Sequence, residues 1–199
     1  PRDARILREL KALSESEDLR VYAFGVSDGE APKGNEPFRL REFAVRSARA
    51  RRLSRPLRYA LVMIEVNVRF VVRMLKLRPD IVHCHDTMVL PAGVVARVLL
   101  RSTLVYDAHE LESDKAGQST ALSKATLLIE KVSWSRIDRL ITVGPSIADW
   151  YVEHLGPKAT TCILNSPEVS TGRPQAERVP RPGLRDRLGL EREAALFVY

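Results

Sequence analysis

The sequence predicts an α/β fold, a parallel sheet with helices on both faces. Three observations predict it. Short apolar runs alternate with segments of helical apolar spacing along most of the chain. The strand-like runs are short and continuously apolar, as strands covered on both sides are. Four successive runs end in polar or turn residues, as parallel strands do where their carboxyl ends open into a cleft. At 45% hydrophobic and 29% charged, the 199 residues are neither disordered as a whole nor collagen-like.

Taken in order, Asp3 reads as the N-cap of a helix over 4–13, with Ile6, Leu7, Leu10 and Leu13 at helical spacing. Residues 19–24 read as a strand and 25–37 as a polar, turn-rich loop. A helix that opens such a chain normally follows a strand, so a first strand and its loop are expected upstream. The longest helix is predicted over 55–77. Ser54 is its cap, Pro56 sits in its first turn and Pro79 lies just past its end. Leu57, Leu61, Ile64, Val68, Val71 and Leu75 make one apolar face. Tyr59, Val62, Met63, Val66, Phe70 and Met74 make much of a second, and a helix so apolar is either mostly buried or touches a second partner. Strands follow over 80–84, 102–106, 140–143 and 160–164, with helices over 90–100, 119–135 and 147–155 between them.

These elements place a domain over 1–165. Residues 166–193 shift to Pro, Arg, Gly and Glu and read as a linker with one helical piece at 184–188. Residues 194–199 (AALFVY) read as the first strand of another domain.

The net charge of +7 is concentrated. Between Arg39 and Arg58 lie eight arginines and one acid, Glu42, while the rest of the chain balances. The run includes Arg46, Arg49, Arg51, Arg52, Arg55 and Arg58. Such a patch suits an anionic membrane, an acidic ligand or nucleic acid, and it also suits a plain solvated face. Few aromatics, Phe43 and Tyr59 among them, lie near it and no RNA-binding motif is present, which disfavours nucleic acid. Arginines leading into a helix with two apolar faces fit a membrane surface better, so salt-sensitive binding to anionic lipid is expected. Cys84 and Cys162 form no disulfide framework and fit a reducing cytosol. With no signal peptide pattern and no long apolar span, the expected location is cytoplasmic, peripheral at the membrane's inner face at most.

The polar strand ends supply the site candidates. They are His85-Asp86, Asp107-Ala108-His109-Glu110, Gly144-Pro145-Ser146 and Asn165-Ser166. His109 lies beside two carboxylates that raise its pKa and orient its ring, so it reads as a cleft histidine or as a loop histidine closing a strand end. His83, inside its strand, reads as structural. A zinc site from His83, His85 and His109 lacks supporting cysteine pairs or an HExxH helix. Gly144-Pro145-Ser146 reads as an ordinary strand-to-helix junction. No GxG pair, Walker loop or GxSxG elbow occurs.

RPDIVHCHD (78–86), LPAGVVAR (90–97), LVYDAHELE (104–112), DRLITVGPSIADWY (138–151) and ILNSPE (163–168) resemble the amino-terminal domain of family 4 glycosyltransferases. PRDARILRELKAL (1–13) resembles that domain's first helix. The resemblance implies a GT-B architecture, two Rossmann-like domains across a cleft, with this one on the acceptor side. It implies transfer from a nucleotide-sugar to a glycan or lipid-linked acceptor with retention of configuration, no cofactor and no metal. His109 falls where the family's histidine reaches the donor sugar, an electrostatic role. His85, Asp86, Asp107, Glu110 and Asn165 would bind substrate on the acceptor side or cleft floor. The glycine-containing loop and the paired-glutamate motif of the family are expected outside this segment, and the segment alone is expected to be inactive. A GT-B sugar-nucleotide epimerase and a basic nucleic-acid-binding module are the alternatives.

Overall fold

A computed structural model describes residues 4–26, 39–50, 52–114 and 117–166. The chain begins with α1 (Ala4–Ser14), β1 (Tyr22–Val26) and β2 (Arg39–Phe43), then α2 (Arg55–Leu77). It continues β3 (Ile81–His85), α3 (Leu90–Leu100), β4 (Thr103–Ala108), α4 (Thr120–Ser133), β5 (Arg139–Thr142), α5 (Pro145–Leu155) and β6 (Thr160–Cys162). All strand pairs are parallel. The α/β class is as predicted. Among the described residues, however, the strands form a pair, β1-β2, and a four-stranded sheet in the order β3-β4-β5-β6. No described strand pairs with both groups, so the single sheet expected from the alternation is seen as two.

The β2 strand was not expected, because Arg39-Leu40-Arg41-Glu42-Phe43 carries more charge than apolar surface. Its ladder with β1 holds the backbone, and Phe43 anchors it from one side. The Phe43 ring meets Phe70 of α2 edge-on at 5.4 Å, with the guanidinium groups of Arg69 and Arg73 over it. The first strand begins later than predicted and takes Gly25 and Val26 out of the expected loop. Ser54 stands at the N-cap of α2, but its side chain makes no capping hydrogen bond. Ser119 does cap α4, accepting from the Leu122 N–H. Asp3, Arg51, the linker, its helical piece and the strand over 194–199 lie outside the described residues.

The core is built on the four-stranded sheet. Leu104, Tyr106, Leu140, Leu90 and Tyr151 are fully buried. Gly93 lets α3 settle directly on it, since a Cβ there would stand 2.5 Å from Cys84 Sγ and 2.7 Å from Leu104 Cδ1. Burial pushes the Cys84 thiol up to about 12, so it behaves as an apolar side chain. Beneath α4, buried Glu130 accepts from the hydroxyls of Tyr106 (2.8 Å) and Tyr151 (2.6 Å). Burial raises both phenols further, which keeps them protonated as donors. The carboxyl ends of β3 and β4 come out side by side, with His85 paired in register with Asp107.

Candidate active site at the strand ends

The site starts from strand geometry. Residues two apart share a face, so His83 and His85 of β3 stack, ring centroids 4.3 Å apart. On the neighbouring strand, register sets Asp107 opposite His85, and His109 follows just past the end of β4. The outcome is three imidazoles around one carboxylate. Asp107 Oδ2 lies 3.4 Å from His85 Nδ1, 3.4 Å from His109 Nε2 and 3.8 Å from His83 Nε2. His85 Nδ1 and His109 Nε2 are 3.0 Å apart, so one proton sits between them, since two facing N–H groups would collide.

Helix α1 closes the cluster. Arg5 is buried and its NH2 group donates to both oxygens of Asp107, at 3.0 and 3.1 Å. Its Nη1 donates to the Ile163 carbonyl at 2.9 Å, tying α1 to the segment after β6. One turn on, Glu9 meets Arg5 Nε at 2.9 Å and lies 3.8 Å from His85 Nε2. Arg8 donates to Asn165 Oδ1 at 2.7 Å.

Electrostatics follow from this packing. Burial works to raise Asp107, but the three histidines turned toward it outweigh burial and hold its carboxyl far below the usual range. At 3.8 Å, His83 is beyond hydrogen-bond length and acts on Asp107 through space. His109 is raised, first by its hydrogen bond to Asp107 and then by the charges of Asp107 and Asp86, against the opposing effects of burial and Arg5.

The predicted residues therefore separate by role. His85, Asp107 and His109 are brought together, and His83 joins them as a cluster member beside its structural role in β3. Asp107 has no exposed surface, so what it does here is position the histidines. Asp86 follows β3 with φ 69 and ψ 154, a backbone region almost reserved to glycine and costing of order 1–3 kcal/mol in other residues. Such strain is typically held where it aims a functional turn. Glu110 is exposed, and Asn165 is held against α1 by Arg8. Arg46, Arg49, Arg52 and Arg55 are exposed and Arg58 is half-buried, all on the approach to α2 and its first turn. Gly144 begins α5 with extended backbone and no side-chain cap, an ordinary junction.

Arg5 and Glu9 did not stand out in the sequence. Their only local signal is an i,i+4 opposite-charge pair, which on most helices is a surface feature.

Glu9, His83, His85 and Asp107 each place one potential ligand atom within 4.8 Å of the others. The set differs from the His83–His85–His109 zinc grouping, since two carboxylates replace His109. Its chemistry fits a metal poorly, because Arg5 already lies against both carboxylates as their cation. A divalent ion would have to displace that guanidinium.

Parallel strands flanked by helices make this a Rossmann-like α/β domain, with a polar cluster at the carboxyl ends of β3 and β4. The chain belongs to the glycosyl transferase 4-like domain family, whose model matches residues 4–166. It is a glycosyltransferase domain, acting on sugar and acceptor substrates. No curated protein matches the chain.

Proposed function

We propose that this domain is the acceptor-side half of a GT-B glycosyltransferase that takes a sugar from a nucleotide-sugar and retains its configuration. The observation that carries the reading is His109, held 3.4 Å from buried Asp107 just past the end of β4, with its pKa raised by that carboxylate. An imidazole fixed there, its protonated form favoured by Asp107, offers a hydrogen bond and positive charge to a sugar oxygen. It would stabilise negative charge developing on a donor oxygen without forming a covalent bond. Asp107 and Arg5 are buried and act through His109 and His85 as positioning groups. His85, Asp86, Glu110 and Asn165 would contact the acceptor, a glycan or a lipid-linked sugar. No metal enters this scheme.

The test is transfer from a panel of nucleotide-sugars by an enzyme with both GT-B halves present, with His109→Ala compared against the parent. The expected loss is roughly 10²–10³-fold in kcat, the usual effect of removing one preorganised donor. Activity should persist in EDTA, and product NMR should show the donor's anomeric configuration. Transfer undiminished in His109→Ala would overturn the role of His109, and an inverted product would overturn the retaining assignment.

A further inference from the structure

We infer that the outward face of α2 and the arginines leading into it form a docking surface for an anionic lipid bilayer. Leu57, Leu61, Ile64, Val68, Val72 and Leu75 recur every three or four residues, and each is 37% to 59% exposed. They form one stripe along the helix. The opposite side of α2, at Val66, Phe70 and Met74, is buried in the core. One side of this helix therefore holds the domain and the other presents aliphatic side chains to solvent. No described helix is long and apolar enough to cross a membrane, so the stripe suits a helix lying on a bilayer.

Charge selects the occupant. Arg46, Arg49, Arg52 and Arg55 are exposed around the approach to the helix. The Arg46 and Ser47 N–H groups donate to Glu65 at 3.0 and 2.7 Å, which fixes the arginine-bearing turn beside the middle of the stripe. The Ser47 side chain, and then those N–H groups, lower Glu65 to about 2, and Arg69 pairs with it at 2.6 Å. Glu65 is the one acid in α2, and it is already matched. A second copy packed stripe to stripe would bring the arginine-rich approach of each copy toward that of the other with no free acid on α2 to offset it. Nucleic acid would find aliphatic side chains where it needs stacking partners. Anionic headgroups satisfy the arginines while the stripe enters the acyl boundary beneath them.

The test uses the whole chain with vesicles of phosphatidylcholine, alone or mixed with phosphatidylglycerol. Binding is expected on the mixed vesicles and should fall steeply with added salt. The triple variant Arg49→Gln/Arg52→Gln/Arg55→Gln should bind them roughly a hundredfold more weakly. Ile64→Ser/Val68→Ser should also weaken binding while leaving the melting curve close to the parent's, since both side chains face out. A polarity-sensitive dye at Ile64→Cys, in a Cys162→Ser background, should shift to the blue on mixed vesicles, and the same dye at Lys124→Cys should not. The proposal is overturned by equal binding to neutral and mixed vesicles, by no binding, by no response at Ile64→Cys, or by a concentration-dependent dimer abolished by Ile64→Ser. Binding to duplex DNA that persists in Ile64→Ser/Val68→Ser, with none to vesicles, overturns it in favour of nucleic acid. Sugar transfer does not enter these measurements, so this surface and the proposed reaction stand or fall separately.

Discussion

At Arg5 the guanidinium lies between Asp107 and Glu9, with almost no exposed surface on itself or on Asp107. Without that cation, Asp107 would be a buried carboxylate facing only imidazoles, which carry no permanent charge. Arg5→Met keeps the length and apolar stem but removes the charge. Breaking a buried pair from one side costs about 3–5 kcal/mol, and urea unfolding of Arg5→Met should show a loss of that order. The same variant should move the His109 imidazole titration, read by NMR, to higher pH, because Arg5 opposes its protonation. A destabilised variant with unmoved His109 titration would mean that Arg5 acts as packing alone. The residue's importance was invisible locally. The histidines and Asp107 stood out because they end apolar runs, whereas Arg5 acquires its partner 102 positions away only when α1 packs over the strand ends.

Between elements, packing is tight where α3 crosses β3 and β4 at Gly93. In Gly93→Ala the new methyl would meet Cys84 Sγ and Leu104 Cδ1 far inside contact distance, and both are core side chains. Alanine's better helix propensity, worth about 1 kcal/mol, offsets part of the strain. Overpacking of this kind costs about 1–3 kcal/mol. The expected net effect is a lowered melting temperature, relieved in Gly93→Ala/Leu104→Val, and no gain from the second change would overturn this account. Helix limits were legible where punctuation is strong. Pro56, Pro79 and the apolar periodicity between them bound α2 at both ends, and Leu90-Pro91 opens α3. The β2 strand was not legible, because its Arg-Leu-Arg-Glu-Phe pattern is a charge run until β1 lies beside it and Phe70 meets Phe43. Exposure was half legible. The periodicity gave α2 two apolar faces, and only packing decided that Val66 and Phe70 face in while Ile64 and Val68 face out.

Across the whole molecule, the strand-end cluster ties stability to pH in two windows of opposite sign. Asp107 is lowered from 3.8, so its contribution is present above that pH and is lost as pH falls below it toward the depressed folded value. His109 is raised from 6.5, so its contribution is fully present below pH 6.5 and is lost as pH rises through the higher folded value. Glu65, lowered from 4.5 to about 2, adds to the acid side. The cluster's joint contribution should therefore be greatest between pH 3.8 and pH 6.5. The measurement is a series of urea midpoints across pH for the parent and for His109→Gln, which cannot take up the proton. Their difference should be largest below pH 6.5 and shrink in alkaline buffer, while both lose stability in strong acid through Asp107 and Glu65. A difference that grows with rising pH would show that neutral His109 is the stabilising form. The positive charge proposed for His109 in sugar transfer would then fall.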